Sequence, residues 1–176
     1  MSTPFQLRVH VGARDLERFP EEDDALGESL FNMLSGMLSR GLPRPSLMVF
    51  REEQVDRFDV VPILKSLPPH RQRMMAAIGG QAEASCSALV GVFKVRFGRM
   101  REPRRAIICF LEWPDNRWWT CWQLVDEDRQ LVGEGPIIRR AVDGWPRPGG
   151  VGGWYSIVRR TGLKLRMMPS EDAAIH

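Results

Sequence analysis

The strongest constraint on the fold lies in the second half of the chain, where hydrophobicity repeats every two residues through several successive runs. "LVGVFKVRF" places Leu89, Gly91, Phe93, Val95 and Phe97 on one face of a strand and Val90, Val92, Lys94 and Arg96 on the other. The basic connector "GRMREPRR" leads to "AIICFLEW", then "WWTCWQLVD" and "LVGEGPII", with "PDNR" and "EDRQ" between them. Period-two runs separated by short polar turns define an antiparallel meander.

Such a sheet must bury at least one face, and the first half of the chain supplies a cover. The acids Glu21 to Asp24 precede Ala25, Leu26, Leu30, Phe31, Met33, Leu34, Met37 and Leu38, an apolar stripe at helical spacing that ends at Gly41 before Pro43 and Pro45. Acidic side chains favour the positive end of a helix dipole, so this cluster reads as a helix start and not as a metal site. Phe5 to Val11 alternates as a first strand, and "SLMVF" (Ser46 to Phe50) is short and apolar enough for a buried one. Val55 to Leu67, interrupted by Pro62, is predicted to be irregular or briefly helical. A further helix is predicted after Pro68 and Pro69, carrying Met74, Met75, Ala77 and Ile78. Ala82 to Ala88 reads as a helix or close-packed connector.

The predicted fold class is therefore α+β: a mainly antiparallel sheet of five to seven strands, a meander in its C-terminal half, with the N-terminal helices packed on one face. A chain of 176 residues suits one core, so residues 1–176 are expected to form a single domain. Residues 143–153 are expected to be a Gly/Pro-rich loop and residues 169–176 a frayed tail.

The opening "MSTPFQLRVHV" has no basic stretch followed by an apolar one, and no apolar run approaches the roughly 18 residues of a membrane span. No membrane association is expected. Cys86, Cys109 and Cys121 are odd in number and scattered, which does not make a disulfide framework; a reducing, bacterial-type cytoplasm is the expected location. No Walker loop, dinucleotide fingerprint or serine-elbow motif is present, and His10 and His70 occupy ordinary positions. No cofactor is expected, and the sequence leans away from an enzyme, although a site assembled from distant residues would not be legible in it.

The segment "CFLEWPDNRWWTCWQLVD", Cys109 to Asp126, carries two cysteines and four tryptophans. A turn centred on Asp115 and Asn116 sets Trp113 opposite Trp118, Cys109 opposite Trp122 and Cys121 opposite Phe110. Residues facing one another share a side of the sheet. Cys109, Leu111, Trp113, Trp118, Thr120 and Trp122 then occupy one face, and Phe110, Glu112, Trp119, Cys121 and Val125 the other. In this register the cysteines diverge, and neither a metal nor a disulfide joins them; a slip of one residue would undo the argument. Trp113, Trp118 and Trp122 fall to the core, leaving Trp119 as the best candidate for exposure, with cover by a neighbouring helix as the alternative.

These features predict a non-catalytic protein-binding module, an adaptor or accessory protein of immunity-like or chaperone-like kind, or a subunit of a larger assembly. The partner-binding candidates are Trp119 on the sheet and Trp145, Trp154 and Tyr155 around the glycines at 149–153. The alternative is nucleic-acid binding through Arg96, Arg99, Arg101, Arg104 and Arg105, gripping phosphates without reading sequence. A net charge of +3 gives that alternative modest support, since a GC-rich genome would write the same arginine excess. Oligomeric state is not legible in the pattern.

Overall fold

The computed structural model describes residues 6–7, 23–51, 54–65, 84–96 and 101–141, together with His70, Met74 and Ile78. Its centre is one antiparallel sheet. The strands are β1 (Gln6–Leu7), β2 (Ser46–Arg51), β3 (Gln54–Asp59), β4 (Cys86–Val95), β5 (Arg104–Glu112), β6 (Trp118–Val125) and β7 (Leu131–Arg140). They lie in the order β1-β3-β2-β4-β5-β6-β7, so six substantial strands are extended at one edge by the two residues of β1. The helices are α1 (Asp23–Met37) and the single turn α2 (Val61–Leu64). The α+β class and the C-terminal meander read from the sequence are the observed ones.

The α1 helix lies across β4, β5 and β6. Its buried stripe, Leu30, Phe31 and Leu34, continues into Leu38 and packs on Met48, Phe50, Val90, Ile107, Cys109, Leu111, Trp119 and Cys121. Each such aliphatic side chain removed from water contributes about 1.5–3 kcal/mol. At the helix start, Arg140 of β7 donates two hydrogen bonds to Asp24, each 2.6 Å, and ties helix to edge strand. Those bonds hold the Asp24 carboxyl below the usual carboxylate range, against the opposing pull of burial.

Gly27 explains how closely the helix approaches. A Cβ at this position would lie less than 3.0 Å from three atoms of the Trp119 ring, whereas one at Gly36, nine residues on, would meet nothing within 4 Å. Gly27→Ala gains roughly 1 kcal/mol of helix propensity but overpacks the contact at a cost of about 1–3 kcal/mol. The expected net result is a loss of stability. Gly36→Ala should show the propensity gain alone, and urea unfolding of the two variants side by side measures the difference.

Two segments depart from the sequence expectation. Val55 to Asp59 belongs to a regular strand, β3, and among the described residues of the segment Val61–Leu64 is helical, with Pro62 in its first turn. The strand was hidden because Asp56 is buried on its second face, where Arg51 approaches it at 3.6 Å, and because Arg57 is half-buried and donates to the Ser46 hydroxyl. Cys86 to Ala88, assigned to a helix or connector, already belongs to β4. Of the helix predicted after Pro69, His70, Met74 and Ile78 are described and are helical; the rest of it, most of the first predicted strand, the loop at 143–153 and the tail at 169–176 lie outside the described residues.

The second face of the sheet has its own core of Leu47, Val49, Phe58, Leu89, Phe110 and Trp118, covered by Val60, Ile63 and Ala84 with Ile78 against it. Phe110 and Trp118 stack here with ring centroids 6.3 Å apart. Among the described residues, Val132 and Ile137 at the β7 end of this face remain exposed.

Candidate interaction surface on the outer sheet face

The register of the tryptophan hairpin decides which aromatic residue reaches the surface. Trp113 N–H donates to Arg117 O and Asn116 N–H donates to Trp113 O, with Asn116 left-handed at φ 72. Pro114, Asp115 and Asn116 thus form a three-residue loop, a connection that characteristically ends in a left-handed residue. Trp113 faces Arg117, whose guanidinium lies 5.1 Å from the centre of its ring. The predicted pairing of Trp113 with Trp118 is therefore out by one residue. Glu112 faces Trp118, Cys109 faces Cys121 and Ile108 faces Trp122.

That slip exchanges the faces of β6. Trp119, expected at the surface, is 1% exposed beneath α1; its Nε1 helps to lower the Asp24 carboxyl, yet no acceptor meets hydrogen-bond geometry at it. Trp122 moves to the outer face and is half-buried. The cysteines share a face, contrary to expectation, and all three are buried in the α1-side core without a disulfide. Burial pushes the Cys121 thiol up to about 12 and raises Cys109 well above its ordinary value. Both stay protonated near neutral pH, unsuited to nucleophilic or ligand chemistry. Among the described residues no group of three or more His, Cys, Asp or Glu is placed to hold a metal ion.

The slip assembles an apolar surface on the outer face. Phe93, Ile108, Trp122 and Leu124 are half-buried there, and strand pairing sets Phe93 beside Ala106 and Leu124, and Ile108 beside Trp122. β7 continues both rows, with Val132 opposite Leu124 and Ile137 opposite Trp122. Val132 and Ile137 are each 43% exposed. Between these two pairs, Gly133 to Pro136 oppose only Gln123, so the edge strand bulges outward. Gln123 Nε2 holds the bulge by donating to Val132 O at 3.2 Å. A bulge and a proline both interrupt the row of free backbone groups that would let an edge strand template endless pairing.

At the strand ends beside this surface lies a cleft of about 380 Å³. Lys94, Arg104 and Arg105 line one side, Glu102, Asp126 and Glu127 contribute carboxylates, and Leu124, Val125 and Val132 supply apolar wall. Asp126 also fixes the β6–β7 turn by accepting from Gln130 N–H at 2.7 Å. Of the arginines singled out for nucleic acid, Arg104 and Arg105 belong to β5, Arg96 and Arg101 are exposed beside it, and Arg99 lies outside the described residues. Trp145, Trp154 and Tyr155 also lie outside them.

For catalysis the described residues offer little. His70 is exposed, and Ser87 Oγ is buried without a hydrogen-bond partner beside the fully buried Glu112, but no histidine among the described residues joins them. No described helix is long and apolar enough to cross a membrane. The described residues define an α+β protein with an antiparallel sheet, one face of which is covered by α1 over β4 to β6. No family model, curated protein or solved structure matches the chain.

Proposed function

We propose that this is a non-catalytic protein-binding module whose partner docks on the outer face of β5 to β7. The observation that carries the reading is the apolar surface around Trp122, continued onto the edge strand by Val132 and Ile137. A half-buried tryptophan flanked by aliphatic side chains is a composition found at binding hot spots. An adaptor or accessory role in a reducing cytoplasm is consistent with buried cysteines that form no disulfide.

Mixed charge at the strand ends weighs against nucleic acid. A phosphate-binding surface gains from each neutralising cation, yet Glu102, Asp126 and Glu127 sit among Lys94, Arg104 and Arg105 and would repel a polyanion. The test is affinity capture from native lysate, with and without nuclease, using the wild-type chain and the Val132→Asp/Ile137→Asp double variant. Both positions are exposed, so the fold should be retained. A near-stoichiometric protein that survives nuclease and is depleted about tenfold or more by the double variant supports the reading. Equal capture by both chains, or loss on nuclease treatment, contradicts it.

A further inference from the structure

The outer face is exposed along β7, and the same chain carries an apolar segment within reach of it. Arg140 turns to Asp24 on the α1 side, whereas the next residue, Ala141, packs against the core of the opposite face. The chain therefore leaves β7 on the outer face. Residues 161–168, "TGLKLRMM", lie outside the described residues, and their sequence alternates Leu163, Leu165 and Met167 against Lys164 and Arg166. Nineteen residues, 142–160, separate them from Ala141. Extended, those would cover about 60 Å, nearly twice the roughly 33 Å of a ten-residue strand, so every point along β7 is accessible to the segment.

Charge complements shape. Residues 161–168 carry two cations and no carboxylate side chain. The bulge of β7 exposes Glu134, and the β6–β7 turn exposes Asp126, Glu127 and Asp128 with one cation, Arg129. Among the described residues no ion pair engages Glu127, Asp128 or Glu134.

We propose that residues 161–168 of this same chain cover the outer face of β6 and β7 until a partner displaces them. The step rests on the docking reading above and names the regulation of that same face. Trp122 pairs with Ile137 and Leu124 with Val132, giving two apolar rows about 6.7 Å apart along β6, the spacing of Leu163 and Leu165 in an extended chain. Running from the Ala141 end toward the β6–β7 turn, the segment sets Leu163 on the first row and Leu165 on the second. Lys164 then lies between the rows, where the bulge carries Glu134, and Arg166 approaches the carboxylates of the turn. Opposite charges thereby fix the direction. The segment lies on the face and does not add to the edge of β7, whose regular pairing is interrupted at Gly133 to Pro136. A tether supplies an effective concentration near millimolar, so weak contacts suffice for cover and a partner of micromolar affinity displaces them.

The test couples amines to carboxylates with a carbodiimide, a zero-length reagent, in a dilute mixture of isotope-labelled and unlabelled full chains, and maps the joined peptides by mass spectrometry. Lys164 is one of three lysines in the chain, and its expected product is a bond to Glu134 within one chain. Leu163→Asp/Leu165→Asp should reduce that product about fivefold and raise partner capture about threefold, since a tethered competitor is removed. Coupling of Lys164 chiefly between labelled and unlabelled chains would show a second copy on the face and overturn the cover. So would absence of the product, or reduced capture by the Leu163→Asp/Leu165→Asp chain. If Val132→Asp/Ile137→Asp abolishes capture yet leaves the Lys164 product unchanged, docking on the outer face stands and the cover alone fails.

Discussion

Trp119→Ala should destabilise the protein by about 3–5 kcal/mol, the cost of removing a large aromatic side chain from a packed core. Among the described residues Trp119 is the largest fully buried side chain, and its ring lies against Gly27 on α1 and faces Arg140 on β7. The cavity would therefore open where helix, central strands and edge strand meet. Loss of the indole also removes the surface that positions Asp24 for its two hydrogen bonds from Arg140. Equilibrium unfolding in urea measures the change. A surface tryptophan used for binding would behave differently, with stability nearly unaltered and partner capture lost.

Gly91→Ala should cost about 3 kcal/mol for a different reason. Gly91 has φ +136, a conformation that side chains rarely adopt, and a Cβ there would lie 2.7–2.8 Å from Pro45 Cα, Pro45 N and Arg44 O. The obstacle is backbone, which is itself held because Pro43 O accepts from Val92 N–H and Pro45 O accepts from Val60 N–H. Strained backbone conformations cost about 1–3 kcal/mol, and an unyielding contact adds a similar amount. Gly133, at φ +96 with nothing within 4 Å of a built Cβ, separates the two contributions. Gly133→Ala should show the conformational cost alone, so the difference in unfolding midpoint between the two variants reports the collision at Pro45.

The parts of the fold that were legible in the sequence are those in which one physical rule acts alone. The alternation of Val90, Val92 and Lys94 against Leu89 and Phe93 survives in β4, where the first set meets the α1 side and the second the outer face. The stripe Leu30, Phe31, Leu34 and Leu38 marks the buried side of α1 in the same way. β3 was not legible because buried Asp56 and half-buried Arg57 draw on partners from neighbouring strands, and those partners are invisible before the sheet is assembled. The site was missed by one residue. Whether "WPDNRWW" closes at Trp118 or at Arg117 depends on Asn116 adopting φ 72, and composition allows either. The only signal was asparagine itself, which tolerates the left-handed region better than most residues.

That single backbone choice moves Trp119 into the core and Trp122 to the outer face, and the functional reading follows it. A second apolar group competes for the role: Met33, Met37 and Leu42 are exposed on and just beyond the outward side of α1, at 47%, 36% and 37%. Among the described residues it carries no exposed aromatic side chain, so the outer sheet face has the stronger claim.

The measurement that separates these surfaces most directly is hydrogen exchange of the captured complex against the free protein. Docking on the outer face predicts slowed exchange at the amides of β7, Leu131 to Arg140, and at the exposed bulge within it, with the outward side of α1 unchanged. Slowed exchange confined to Ser29 through Leu42, with β7 exchanging as in the free chain, would contradict the account.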